Sequence, residues 1–322
     1  MIEITQVHST SMKHYGKGIK DKLSVIILSY ALDDDIYRMN CQTLESLMKS
    51  YEWAADNLQV LLFESNKENP YTYPWPEVEV VIPDEKFGFH RYFNIGLDRS
   101  DGEYIAFCNN DIIFKEGWFT EIKKVADAHK RFKCFSPIDD SGDYPKMTPQ
   151  SLPRDKDYYK GWEHQKHFAP WCFVWKRDVF DITGPFDETF DLYGADGDEL
   201  LTLSRNAIWS VVCTKSVVRH LAGQTTIVKQ SNADSKYKIT DPAKYPLTPY
   251  EISQNYHTWL YDDYRFYEAF QKIKTKWGIE NTAYWTQRII ERYPVLNFRP
   301  ITKLLFSKKA NRLFCRLRGI KP

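Results

Sequence analysis

Residues 23–30 read Leu-Ser-Val-Ile-Ile-Leu-Ser-Tyr, an almost continuous apolar run with no helical period. A parallel strand covered on both faces has this signature. Outward from it, Asp33-Asp34-Asp35 is placed to cap a helix, and Ile36, Met39, Thr43, Leu44, Leu47, Met48 and Tyr51 recur at helical spacing. Leu58–Glu64 reads as a second buried strand, Val78–Ile82 as a third, Phe89–Leu97 as a helix and Glu103–Asn109 as a fourth strand. Alternation of strand and helix predicts a doubly wound α/β sheet with helices on both faces. Such sheets bind ligands beyond the carboxyl ends of their strands, where strand order reverses. Ser29-Tyr30, Glu64-Ser65 and Asn109–Asp111 are polar clusters at three such ends and are expected to converge on one crevice.

The pattern continues with a helix around Trp118–Arg131 and a strand at Cys134–Ser136. Asp139–Pro170 shows no period and reads as a long functional loop. Beyond Thr226 the character changes: residues 227–250 are polar and proline-punctuated, and Tyr250–Trp277, Thr282–Arg292 and Ile301–Ile320 read as helices. The expected organisation is a lead-in over 1–20, an α/β domain over 21–226 and a mainly helical extension over 227–322.

Forty-four basic and 43 acidic residues nearly cancel, so the whole chain is no electrostatic match for nucleic acid. The balance is uneven, because residues 299–322 hold eight basic side chains and no acidic one. That asymmetry points to an anionic partner for the tail alone. Ile301, Leu304, Leu305, Leu313, Leu317 and Ile320 fall near one helical face among these bases. Three readings stand: a helix in the interface of an anionic membrane, a grip on DNA phosphates, or packing on the preceding domain. The six cysteines are scattered with no C-x-x-C pair, which fits a reduced, cytoplasmic setting. No signal peptide is evident, and the apolar runs are of strand length rather than the ~20 residues of a membrane span. A soluble protein, or one peripheral on the inner face of a membrane, is expected.

Activated sugars are carried as nucleoside diphosphates, whose phosphate oxygens gain charge as the sugar leaves. A divalent ion held between a carboxylate and those oxygens stabilises that charge, and hard ions such as Mg²⁺ and Mn²⁺ require few protein ligands. Asp111, just past a buried strand, suits this role; by itself Asn109-Asn110-Asp111 reads first as a turn. Three blocks then resemble the family 2 glycosyltransferases of GT-A fold: LSVIILSY at 23–30, EKFGFHRYFNIGLDRSDGEYIAFCNNDIIFKEGW at 85–118, and Trp171–Thr226 with CFVWKRDVFDITGPFDETF, YGADGDELL and VVRHLAGQTT. The second block is similar to the family's Gly-x-x-x-x-x-Asn-x-Gly helix and to its variant Asp-x-Asp motif.

The resemblance implies a mixed GT-A sheet and inverting transfer from a nucleotide-sugar, with a uridine donor favoured, to an acceptor hydroxyl. It implies that Ser29 and Tyr30 line the base pocket, that Glu64 takes the place of an Asp that reads uracil, and that Gly88 and Asn94 lie beside the ribose and diphosphate. Asn109 and Asn110 would flank the diphosphate, Asp111 would hold Mn²⁺ or Mg²⁺, and His220 would complete the metal shell or contact the diphosphate. The reaction also needs a base to draw off the hydroxyl proton. The Asp196-Gly-Asp198-Glu199 block corresponds to the family's base but departs from its usual order, leaving Asp196 or Asp198; a solvated helix cap is the plain alternative. Trp162 and Trp171 are expected to contact donor sugar or acceptor, since indole faces stack on sugars. His164 and His167 form a His-x-x-His pair without a third zinc ligand nearby. The acceptor is open among glycan, lipid-linked glycan, protein and modified DNA base. A nucleotidyltransferase lacks support, because no Gly-rich basic loop follows the first strand. A non-catalytic nucleotide-sugar- or glycan-binding protein is favoured only by the altered Asp196–Glu199 block.

Overall fold

The computed structural model describes residues 13–50, 57–140, 152–163, 166–221, 237–278 and 280–320, with side chains at 280–282 left aside. A nine-stranded sheet runs β3-β2-β1-β4-β8-β6-β9-β5, with β7 also paired to β9. The strands are β1 (Ile19–Ser29), β2 (Leu58–Glu64), β3 (Val78–Val81), β4 (Gly102–Asn109), β5 (Ile112–Phe114), β6 (Cys134–Asp139), β7 (Tyr158–Gly161), β8 (Cys172–Lys176) and β9 (Ser210–His220). β1, β2, β3 and β4 are mutually parallel, whereas β8 is antiparallel to both β4 and β6, so the sheet is mixed as expected. β1 has β2 on one side and β4 on the other. The order therefore reverses beside β1, and a crevice opens there at the carboxyl ends.

Alternation along the strands divides the core. Leu23, Val25 and Ile27 face one apolar layer with Leu44 and Leu47 of α1 (Asp34–Ser50) and with Trp118, Ile122 and Val125 of α3 (Trp118–Ala128). Ile26 and Leu28 face the other layer, with Phe93 and Leu97 of α2 (Phe89–Arg99) and Leu200, Leu201 and Leu203 of α5 (Ala195–Arg205). A short α4 (Phe180–Thr183) belongs to the same side. α2 approaches β1 closely through Gly96, where a Cβ would sit 2.7 Å from Ile26 Cγ2. Asp33 does cap α1, its side chain accepting the Ile36 amide at 2.9 Å.

Several boundaries differ from expectation. β1 begins at Ile19, inside the predicted lead-in. The segment read as a long loop contains β7, whose Tyr158–Gly161 pairs Ser210–Cys213 along the edge of β9 that β5 occupies further on at Val218–His220. The predicted 226/227 boundary lies outside the described residues. The C-terminal region is helical, but the helix read over 250–277 is broken. Pro249–Ser253 has a capping box from Thr248 and Glu251, and Asn255 takes a left-handed φ of 58°. His257–Leu260 follows, and Asp263 caps a new start at Tyr264–Trp277. Glu280–Arg292 comes next. The final basic segment is likewise two helices, Arg299–Leu305 and Lys308–Leu317, because extended Ser307 accepts the Ala310 amide and starts afresh.

Candidate active site

β1, β2 and β4 end side by side, with Ser29 opposite Glu64 and Leu28 opposite Asn109. A directed chain of hydrogen bonds crosses these ends. Asn110 Nδ2 donates to Asn40 Oδ1 at 2.6 Å. Asn40 Nδ2 donates to Ser29 Oγ and to the Tyr73 hydroxyl, each at 2.7 Å. Ser29 Oγ then donates to Glu64 Oε2 at 2.9 Å. The other Glu64 oxygen accepts the amides of Ala31 at 3.1 Å and Asn66 at 2.7 Å. Glu64 is fully buried, and its carboxylate fixes the backbone just past β1 and β2 instead of lying open at the crevice. Tyr30, between these anchored residues, is half-buried. Asn40 and Thr43, which donates to the Asn110 carbonyl at 2.7 Å, are polar side chains within the buried face of α1. Asn40 escaped the sequence reading, although a buried-face polar residue in an apolar helical stripe is a usable signal.

Asp111 follows directly and is nearly buried at 3% exposure. Its Oδ1 lies 3.3 Å from His220 Nε2. The pairing of β5 with β9 sets this distance, since Ile112 is opposite His220 and the Leu221 amide donates to the Asp111 carbonyl at 2.9 Å. Trp171 stacks on His220 with ring centroids 5.2 Å apart and 14° between planes, and its carbonyl accepts the Asn109 amide. Asp139 Oδ1 accepts the His220 backbone amide at 3.0 Å. Two ligand atoms about 2.1 Å from one octahedral ion in neighbouring positions stand roughly 3 Å apart. The Asp111–His220 spacing fits that geometry. Among the described residues no group of three or more His, Cys, Asp and Glu forms a metal cage.

A second polar cluster surrounds the start of α5. Gly194, with φ of 79°, is its N-cap, and Asp196 in the first turn is half-buried, its Oδ1 accepting the Gly197 amide at 2.8 Å. Gly197 leans on the Glu280–Arg292 helix, and a Cβ there would come within 2.9 Å of the Tyr284 hydroxyl. Asp198 is placed differently. Burial raises its carboxyl above the ordinary range, Trp277 Nε1 donates to Oδ1 at 2.7 Å and Lys276 Nζ to Oδ2 at 2.8 Å. Lys276 also reaches Asp187 Oδ2 at 2.8 Å. The Asp187 carbonyl is 2.8 Å from His90 Nδ1, and His90 Nε2 is 3.0 Å from Glu199 Oε1, both side chains being fully buried. The contacts close a ring from α2 through α5 and the Tyr264–Trp277 helix to the Asp187 turn. Burial pushes the Glu199 carboxyl up to about 7, against the pull of His90. His90 is raised as well: burial opposes its charge, but the Glu199 contact outweighs it.

Other expected contacts fall elsewhere. Trp162 is 1% exposed, stacks on Trp209 at 3.6 Å and donates Nε1 to the Ile208 carbonyl at 2.9 Å, so it is a core residue and offers no face to a sugar. Asn94 is occupied by the turn before α5, its amide pairing with both the N–H and the C=O of Phe186 at 2.9 Å, which makes it a clamp rather than a phosphate contact. Gly88 caps α2 in extended backbone with room for a Cβ. Burial holds His167 at about 4, neutral, with its Nδ1 accepting the Glu163 amide at 3.2 Å; His164 lies outside the described residues. His90 and Lys276 were missed, and Glu199 was legible only as part of the Asp196–Glu199 block, because no local period marks a buried pair such as His90 and Glu199 across 109 positions of sequence.

Residues 43–183 match the family described as Glycosyl transferase family 2. Asp196 and His220 lie beyond that match, as do Ser29 and Tyr30 before it. A curated relative, the O-antigen biosynthesis protein RfbC of Myxococcus xanthus, is 24% identical over 220 residues, covering 60% of this chain and 16% of that protein. The fold is similar to the crystal structure of S. aureus TarS 1–349, with a TM-score of 0.50, 13% identity and coverage of 88% of this chain and 91% of that one. It is similar also to GalNAc-T7 crystallised with UDP, GalNAc and Mn²⁺, with a TM-score of 0.52, 14% identity and coverage of 93% and 55%.

Proposed function

From the match of residues 43–183 to glycosyl transferase family 2, we propose that this chain moves a sugar from a uridine diphosphate donor to an acceptor hydroxyl, with inversion, in glycan biosynthesis. The observation that carries the reading is the Asp111–His220 pair, 3.3 Å apart at the carboxyl end of the sheet. Asp111 and His220 would hold a divalent ion, and a nitrogen ligand weights the choice toward Mn²⁺, since Mg²⁺ favours oxygen donors. Bound there, the ion would neutralise the diphosphate as it leaves.

The chain's own residues supply the rest. The Ser29–Asn40–Asn110 chain, anchored on Glu64, shapes the floor on which the uridine rests beside Tyr30. Trp171 holds the His220 ring in plane. Asp196 accepts the proton of the acceptor hydroxyl as its oxygen bonds to the anomeric carbon from the face opposite the departing phosphate. The C–O bond to the diphosphate breaks, and nucleoside diphosphate and glycoside are the products. Asp198 is buried against Trp277 and Lys276, and half-buried Asp196 is the more accessible of the two carboxylates, so we assign Asp196 as the base. The RfbC relative supports a part in glycan biosynthesis, and the GalNAc-T7 structure with UDP and Mn²⁺ supports a uridine donor and a divalent ion. Incubation with a panel of UDP-sugars and Mn²⁺ tests it: UDP release is expected, abolished by chelation and by Asp111→Ala. Stabilisation by donors of another base, with none by UDP-sugars, would overturn the donor assignment.

A further inference from the structure

The last two helices combine firm docking with an exposed face that the sugar-transfer reading does not use. Thr302, Phe306, Cys315 and Ile320 are buried. Thr302 Oγ1 donates to the Arg205 carbonyl at 2.8 Å, and Asn311 Nδ2 to the Trp277 carbonyl at 2.9 Å. Yet Leu304, Leu313 and Leu317 remain 67%, 58% and 74% exposed. Leu313 and Leu317 stand two positions either side of buried Cys315, about 160–200° around the helix from it, so they project together from the outer face. Lys309, Arg312 and Arg316 are exposed on the same helix, and none of them forms an ion pair among the described residues. From residue 299 onward the chain has eight bases and no acid.

We propose that this face seats the protein on an anionic lipid surface. Isolated exposed leucines are ordinary. Two leucines one turn apart, flanked by unpaired bases in a segment without acidic residues, meet both requirements of an interfacial helix. The apolar pair enters the acyl boundary, and the bases meet the headgroups. A polyphosphate such as duplex DNA would satisfy the bases and leave the leucines in water. No described helix is long and apolar enough to cross a membrane, so contact through this face would be peripheral.

Vesicle flotation tests the proposal with the full chain. Wild type is expected to float with phosphatidylcholine vesicles containing about one third phosphatidylglycerol and to stay down with phosphatidylcholine alone, with the binding weakened by salt. Reversing three charges (K309E/R312E/R316E) should weaken binding on the order of 100-fold. Removing the apolar pair (L313S/L317S) should weaken it at least about tenfold. Both variants should melt like wild type, because the altered side chains are exposed. Equal binding to neutral vesicles, no flotation, or binding that survives both variants would overturn the proposal. So would retention of duplex DNA by a protein that ignores the vesicles. The assay reads binding alone, so its outcome is separate from that of the donor assay.

Discussion

Trp277 donates its indole N–H to Asp198 Oδ1 at 2.7 Å while Lys276 holds the other oxygen, so the helical C-terminal region grips the same turn that carries Asp196. One of two neighbouring carboxylates is thereby tied into the fold, and its neighbour is left with partial access to solvent.

Substitutions at these two positions should therefore fail differently. Asp196→Asn is expected to lower kcat about 10²–10⁴-fold with UDP binding and melting temperature retained. Asp198→Asn should chiefly destabilise the protein, by about 1–3 kcal/mol, because an amide cannot accept from both Lys276 and the buried Trp277 indole as the carboxylate does. Initial rates and thermal melts on both variants check this. A collapse of kcat in Asp198→Asn without loss of stability would move the base to Asp198.

The His90–Glu199 pair gives a pH dependence with a defined sign. Both groups are raised in the folded state, Glu199 from 4.5 to about 7. The folded protein holds more protons than the unfolded chain across that window. Its contribution to stability is complete below about pH 4.5 and is lost as pH rises through 7. Asp187, held down to about 2 by Lys276 against its burial, acts in the opposite sense: its contribution is present above pH 3.8 and is lost as pH falls through about 2. Melting curves from pH 5 to 8 should show wild type losing stability relative to Glu199→Gln as pH rises. Parallel curves would show that the pair does not titrate in this range.

Glu64→Gln keeps the shape of the carboxylate but must present an amide N–H to one of the donors it now accepts. It should cost about 1–3 kcal/mol and weaken UDP binding in step. Calorimetry with UDP alongside thermal melts separates the possibilities. Weaker UDP binding at unchanged stability would instead mean that Glu64 reads the base directly.

The sheet was legible in the sequence because its strands are buried on both faces. LSVIILS and LQVLLFE carry almost no polar interruption, and the stretch between them keeps a helical period. The position of Asp111 at a strand end was legible for the same reason, since it is the first carboxylate past such a strand. The polar contacts that organise the site were not. Glu199 reads only as the last carboxylate of the Asp196–Glu199 block until the fold brings His90 against it, and Trp162 reads as a sugar platform until Trp209 covers it. β7 was hidden because its four residues, YYKG, are too few for a period, and only pairing with β9 makes them a strand.

Trp162→Ala should accordingly behave as a core truncation. A loss of about 3–5 kcal/mol in unfolding free energy is expected, with the KM for donor unchanged in the fraction that remains folded. Denaturant titration and donor saturation curves measure the two effects. A raised KM with unaltered stability would restore Trp162 to the substrate site.

The most direct test of the account is metal titration of wild type, Asp111→Ala and His220→Ala, monitored both by Mn²⁺ binding in the presence of UDP and by donor turnover. Wild type should bind one Mn²⁺ per chain when UDP is present. Asp111→Ala should lose that site and at least about 10²–10³-fold in kcat, and His220→Ala should need at least about tenfold more Mn²⁺ for half-saturation. Full turnover and unaltered Mn²⁺ binding in both variants would contradict the assignment of Asp111 and His220 as the metal site.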